Sequence, residues 1–434
     1  MTTTQIILCG YALFIVALLI MVIAIIKDQK LSKKVLQSQK NDEEAELKLQ
    51  IREKEEEIKR IQSEKETEKK DGEADGPRFP MLFAIDREMS GVRHDTYNNS
   101  LNLAGICDVF RNFSANRLKL YYSISDIRSF ISGMATSHLI LMQGMSGTGK
   151  TSLAYAFGQF IENNAVMVPV QPMWKESSDL MGYYNEFTNR FNETNMLCAL
   201  YRAGYTRDIY IAVLDEMNIA RVEYYFAEFL SMLEIPNPDE RKIRILSDAK
   251  KDDPSKLVNG EVLVPENVWF IGTANNDDST FAISDKVYDR AMVLNLDKRA
   301  EPFYAERTGS FRFSCDHFEK LVAEAVSKYA LTDRNKRRIK QLDAYLKKNL
   351  HISFGNRIMK QLEKYVAVYI ACGGREMDAI DDLMSKKVIR KLESQNPVFV
   401  KNALPELFDF MSELFDDDGL PKCREYMKKI EMSV

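Results

Sequence analysis

Histidine and cysteine are scarce in this chain of 434 residues, and where they occur they stand apart. The four histidines, His94, His138, His317 and His351, form no cluster, which argues against an imidazole metal centre. The six cysteines, Cys9, Cys107, Cys198, Cys315, Cys372 and Cys423, include no C-x-x-C pair. They read as reduced thiols of a cytosolic compartment rather than a disulfide framework or a zinc site. Net charge is small as well: 60 basic and 64 acidic residues leave −4, so no global basic field argues for nucleic acid. No internal repeat is evident, and no cluster of carboxylates with a lysine marks a nuclease in the C-terminal part.

The length suggests two or three domains. Residues 6–26 run without a charge for about the length of a membrane-crossing helix. Lys27, Lys30, Lys33 and Lys34 follow at once and no Lys or Arg precedes, so the positive-inside rule predicts a single-pass anchor, N-terminus outside and bulk in the cytoplasm. Residues 28–76 then change to Lys, Glu and Gln. Leu47, Ile51, Ile58 and Ile61 fit a coiled-coil spacing, but Lys54 and Lys65 occupy other core slots, and a solvated helix laced with Glu-Lys pairs reads equally well. Either form makes a stalk.

From Phe79 the chain reads as globular. Residues 139–142, 166–170, 209–214, 268–272 and 292–296 are short apolar runs rich in β-branched residues, separated by helical or polar stretches, which predicts a covered, largely parallel sheet. After about residue 300 the pattern is wholly helical, over 318–329, 335–346, 356–370, 377–392 and 404–415. The expected organisation is a membrane anchor at 1–27, a charged helical stalk at 28–78, an α/β domain at 79–300, and a helical lid with C-terminal helices at 301–434.

The chemistry starts at Gly144-Met145-Ser146-Gly147-Thr148-Gly149-Lys150-Thr151, placed between the apolar run 139–142 and the helical pattern 152–161. The spacing G-x-x-x-x-G-K-T in a strand-loop-helix context predicts a phosphate cradle in which backbone N–H groups and a helix N-terminus face one anion. Gly144, Ser146, Gly147, Thr148, Gly149 and Ser152 would line it, Lys150 would neutralise the β and γ phosphates, and the Thr151 hydroxyl would hold Mg²⁺. The apolar run 209–214 ends in Asp215-Glu216. Downstream of such a loop, Asp215 is expected to steady the Mg²⁺ shell and Glu216 to polarise the attacking water.

With these residues in place the chain resembles an AAA+ ATPase. Leu214-Asp215-Glu216-Met217-Asn218-Ile219-Ala220-Arg221 is similar to the second Walker motif of the McrB-like branch, the motors of methylcytosine-dependent restriction systems. Trp174, Asp179-Leu180, Gly182-Tyr183-Tyr184 and Arg190-Phe191 resemble the insert in the second helix of that clade, and Gly272-Thr273-Ala274-Asn275 resembles its sensor region. The resemblance implies Asn275 as sensor 1, orienting the lytic water, and Arg290 as the finger reaching a neighbouring subunit's site. A surface pair with Asp285 or Asp289 is the plainer alternative for Arg290. It further implies Arg357 as sensor 2 on the γ phosphate, so that nucleotide state sets the lid angle, and a homo-oligomeric ring, a hexamer in this family. Residues 236–267 would form a pore-facing hairpin or a flexible loop, and Tyr183, Tyr184, Phe187 and Phe191 would touch partners or pack internally. Thr273-Ala274-Asn275-Asn276-Asp277 departs from the Met-Asn-Thr-Ala-Asp of McrB, which favours ATP and leaves GTP open. A membrane span stands where McrB reads modified DNA, so DNA recognition does not carry over and any cleavage would need a separate effector or nuclease. A MoxR-type chaperone and a non-hydrolysing membrane scaffold are the alternatives.

Overall fold

In a computed structural model, residues 76–91, 96–275, 280–416 and 420–433 are described. The apolar run 6–26 and the stalk lie outside the described residues, as do Asn276 and Asp277. Among the described residues no helix is long and apolar enough to cross a membrane. Gly76–Val434 forms one unit.

Three helices lead in: α1 (Pro80–Ser90), α2 (Leu103–Leu118) and α3 (Ile124–Thr136), the last opened by a capping box between Ser123 and Asp126. The α/β part then runs β1 (Leu139–Gln143), α4 (Lys150–Phe160), β2 (Val166–Pro169), α5 (Ser177–Met181), β3 (Gly182–Asn185), β4 (Arg190–Glu193), α6 (Asn195–Ala203) and β5 (Tyr210–Asp215). A 3-10 turn (Met217–Ile219) leads to α7 (Val222–Tyr225), α8 (Ala227–Met232), β6 (Lys242–Arg244), β7 (Leu257–Val258), β8 (Glu261–Leu263), β9 (Val268–Ala274), α9 (Asp285–Tyr288) and β10 (Met292–Asn295). The rest is helical: α10 (Cys315–Lys328), α11 (Asp333–Leu350), α12 (Asn356–Ala371), α13 (Glu376–Lys387), α14 (Pro397–Phe415) and α15 (Pro421–Ser433).

The five apolar runs become one parallel sheet in the order β10-β1-β9-β5-β2. Its central strands are apolar but for Gln143, Asp215 and Thr273 toward their C-terminal ends, because both faces are covered. Leu139, Leu141, Ala212, Leu214 and Phe270 pack one way, against α1, α6 and Phe229 of α8. Ile140, Met142, Ile211, Val213, Trp269 and Ile271 pack the other way, against α2, α3, α4 and α10. A third cluster, including Ile339, Leu346, Leu362, Ile380, Leu404 and Met427, holds the C-terminal helices together.

The structure resolves two readings the sequence left open. Residues 236–267 are neither a simple hairpin nor an unstructured loop but carry a small antiparallel sheet, β6-β8-β7. In the β3-β4 hairpin, Phe191 stacks on Phe79 and Tyr184 lies under Arg78, whereas Tyr183 and Phe187 stand exposed, Phe187 completely. Two of the four aromatics therefore pack inside and two face out.

Candidate nucleotide site

In a parallel sheet all strand C-termini share one edge, and ligands settle where the connections diverge from a common strand. Here that strand is β1, with β9 on one side and β10 on the other. The loop Gly144–Gly149 leaves β1 at this edge with φ of 140° at Gly144, 75° at Gly147 and 93° at Gly149. A Cβ on Gly144 would stand 2.3 Å from the Leu296 carbonyl oxygen, so both the backbone conformation and the space demand glycine. Lys150 opens α4, is buried, and its Nζ donates to the carbonyls of Gly144 and Met145 at 2.8 Å each. Ser146, Thr148 and Ser152 lie on the same loop and first helical turn, and the Thr148 hydroxyl donates back to the Met145 carbonyl at 2.9 Å. The phenol of Tyr122, its pKa pushed up by burial, donates to the Gly149 carbonyl at 3.0 Å and braces the loop from α3.

Asp215, at the end of β5, joins this loop to the next strand. Its Oδ1 accepts from the Thr151 hydroxyl at 2.8 Å and from the Thr273 hydroxyl at 2.8 Å. The Thr273 oxygen in turn accepts from the Glu216 backbone N–H at 2.9 Å. Glu216 is exposed and held in the left-handed region, φ 52° and ψ 47°. A non-glycine residue there costs free energy that the surroundings must over-determine, and such positions concentrate at functional sites. The surroundings do so through Thr273 and through Met217, whose Sδ lies where a Cβ on residue 272 would be, 2.0 Å away, hence Gly272. Asn275 follows β9 directly, and Asn218 Nδ2 donates to its carbonyl at 2.9 Å and to the Thr280 hydroxyl at 2.9 Å. Thr151, Asp215, Glu216 and Asn275 thus converge on the edge where the loop lies.

Thr151 and Asp215 offer a hydroxyl and a carboxylate oxygen already in contact. This donor set fits Mg²⁺, which keeps most of its waters and needs one or two protein oxygens. Among the described residues no three of His, Cys, Asp or Glu group to hold a metal by themselves.

Arg290 and Arg357 lie elsewhere. Arg290 sits just before β10, its carbonyl accepting from the Ser137 hydroxyl at 2.8 Å, and so belongs to the N-terminal edge of the sheet. Its Nε stands 3.1 Å from Glu234 Oε1, so its ion pair is with Glu234 rather than with Asp285 or Asp289. Those two carboxylates are taken by Arg390 and Lys391. Arg357, in the first turn of α12, pairs with the same Glu234 Oε1 at 2.5 Å. The sequence reading set Arg357 on the γ phosphate; here α12 carries it to the Arg290 edge, where Gln361 one turn on reaches the Asp289 carbonyl at 3.5 Å.

The arginine that does meet the loop is Arg299, past β10, which donates from Nε and NH2 to the Gly147 carbonyl at 2.8 and 2.7 Å. It also lines a cavity of about 370 Å³ beside the loop, together with Ser125 and Asp126 of α3, Lys386 of α13 and Lys422 of α15. Sequence reasoning assigned no role to Thr273, Asn218, Tyr122 or Arg299. The available pointer was a hydroxyl at the end of an otherwise apolar strand, for Thr273, and an amide two residues past the carboxylate pair, for Asn218.

A parallel sheet carrying a glycine loop, a loop lysine and an acidic strand end defines the class: a P-loop nucleotide-binding domain. More narrowly, residues 139–291 match the model of the AAA domain (dynein-related subfamily), so the chain contains an AAA+ domain. Residues 312–433 match a domain of unknown function, DUF8727. No curated protein matches. Among 152 matching chains of solved structures is a full-length MCM homolog from Methanopyrus kandleri, at TM-score 0.36 and 9% identity, covering 67% of this chain. The chain spans 61% of that protein's length.

Proposed function

We propose that this protein is a membrane-anchored AAA+ nucleoside triphosphatase, with ATP favoured over GTP, that works as a homo-oligomeric ring, a hexamer in the branch it resembles. The observation that carries the reading is the chain of contacts Thr151–Asp215–Thr273–Glu216, which holds the loop hydroxyl, the Asp215 carboxylate and the backbone of Glu216 in one frame. The loop N–H groups and Lys150 hold the β and γ phosphates, and Thr151 with Asp215 holds Mg²⁺, whose charge offsets that of the phosphates during transfer. Glu216 orients and polarises the lytic water, Asn275 holds it against the γ phosphate, and the base and ribose occupy the cavity between α3, α13 and α15.

Arg290 acts in trans. From Met292 to Asn295 the sheet is four residues high, roughly 13 Å at strand rise, so Arg290 at one edge is out of reach of the phosphates at the other. It complements the site of the next subunit, and Arg357, held beside it, accompanies it.

Residues 6–26 serve as the anchor and residues 28–78 as the stalk, with the bulk cytoplasmic. Glu216-Met217-Asn218-Ile219-Ala220-Arg221 supports the McrB-like branch, and with it a defence role alongside a separate effector. A MoxR-like remodeller of membrane proteins is the second reading, favoured by the predicted anchor.

The test is steady-state hydrolysis by the full-length protein in detergent, ATP against GTP, with and without Mg²⁺. Glu216→Gln is expected to lose about 10²–10³ in kcat while still binding nucleotide, the scale of removing one preorganised group. Undiminished turnover in that variant would remove Glu216 from its role.

A further inference from the structure

Glu234 follows α8 in a tight turn, its N–H donating to the Ser231 carbonyl at 3.2 Å. A single oxygen of its carboxylate, Oε1, stands 3.1 Å from Arg290 Nε and 2.5 Å from Arg357 NH2. The two arginines come from different parts of the molecule: Arg290 from the end of the α/β part, Arg357 from α12, the third helix of the C-terminal part. Two guanidiniums this close repel, and one carboxylate offsets one of the two charges, leaving the cluster a net +1. More cations crowd the same region. Lys387 Nζ donates to the Tyr288 carbonyl at 2.6 Å, and Lys391 and Arg390 pair with Asp289 and Asp285.

The contacts also show how Glu234 meets each guanidinium. Arg290 faces Glu234 with Nε, which donates to the Leu230 carbonyl, while NH1 donates to the Lys286 carbonyl; among the described residues its NH2 makes no hydrogen bond. Arg357 meets Glu234 through NH2, and its side chain is 51% exposed. Glu234 thus touches Arg290 at Nε and Arg357 at one amino group rather than covering both guanidiniums.

We propose that Glu234 is a positioning residue that clamps Arg290 and Arg357 into one unit, so that both are presented together to the triphosphate held by the adjacent copy of the chain. This rests on the trans reading above. Held as a pair, the two guanidiniums approach the phosphates without the cost of ordering two long side chains at the moment of docking.

Mixed assemblies of full-length chains test it. Glu216→Gln chains bind nucleotide without turning it over and keep all three residues, and Arg290→Ala chains keep the loop but lack the finger. Each alone should be inactive, and an equal mixture should recover turnover, because the first lends its arginines to the second. Glu234→Gln is then placed on one chain at a time. On the Glu216→Gln chain it should cut the recovered kcat by about tenfold to a hundredfold, the scale of a slightly misplaced group, with KM nearly unchanged. On the Arg290→Ala chain it should change nothing, which also shows that the substituted chain folds and assembles. Equal losses from either placement would overturn the proposal in favour of a purely structural carboxylate. A gain in rate from the first placement would overturn it in favour of an inhibitory latch. If the parent mixture recovers no turnover, the trans reading itself falls, and this inference with it.

Discussion

Thr273 shows how much of the site rests on a side chain that touches no phosphate. Its hydroxyl donates to Asp215 Oδ1 and accepts from the Glu216 N–H, so one oxygen sets both the metal-side carboxylate and the strained backbone of the water-side one. Thr273→Val keeps the shape and removes both bonds. We expect kcat to fall about tenfold with nucleotide KM little changed, and stability to drop by about 1–2 kcal/mol for the unpaired N–H. Stopped-time hydrolysis and a urea melt on the same preparation check both numbers; an unaltered kcat would show that Glu216 does not depend on this support. The residues proposed to hold nucleotide stand out in the sequence because their spacing is local: six residues fix Gly144 to Lys150, and adjacency fixes Asp215 to Glu216. Thr273 was not, because its role comes from the pairing of β5 with β9, Leu214 opposite Gly272, which no local pattern records.

At the level of elements, the alternation of apolar runs with helical stretches announced the five strands of the parallel sheet, since a strand covered on both faces must be apolar throughout. Helix ends were harder. α14 begins at Pro397 rather than near Leu404, because Asn396 accepts from the N–H groups of Val398 and Phe399 and Pro397 fits the first turn, and the helix runs on through Pro405. α15 went unread, as its apolar positions Cys423, Met427 and Ile430 are few among charges. It is held by a buried cluster on α13. Asp382 accepts from Lys386 at 2.6 Å and from Tyr365 at 2.6 Å, and Lys422 of α15 pairs with it. Burial works against the Asp382 charge, yet the two ammonium groups hold its carboxyl well below the usual range. Its contribution is therefore present above pH ~4, the unfolded carboxylate value, and lost as pH falls through the depressed folded value. Asp382→Ala strands Lys386 in the interior and should cost about 3–5 kcal/mol near neutral pH. A denaturant titration at pH 7 measures it, and a loss under 1 kcal/mol, the size of an exposed pair, would mean the cluster is solvated.

For the molecule as a whole, the decisive fact is that the nucleotide loop and the Arg290–Arg357 pair occupy opposite edges of one sheet. The pairing of Arg357 with Glu234 was not legible in the sequence for this reason: motif order along the chain does not say which edge a helix from another part will reach. In the proposed ring, closure should require nucleotide. Full-length Glu216→Gln with Mg²⁺ and ATP should sediment as a large species in detergent, whereas Lys150→Ala, which cannot hold the triphosphate, should remain smaller at equal concentration. Identical sedimentation of the two would separate assembly from nucleotide.

In the proposed ring, that separation of the two edges would give the assembly a handedness of information. Contacts of this head-to-tail kind join unlike surfaces, so they close only if the wedge angle between neighbours divides a full circle, and otherwise wind into an open helix. Copy number would then be a matter of subunit shape and not of site chemistry. A cleavage event in one copy would reach first the neighbour that lent the guanidiniums, so the order of firing around the circle would follow the polarity of a single sheet.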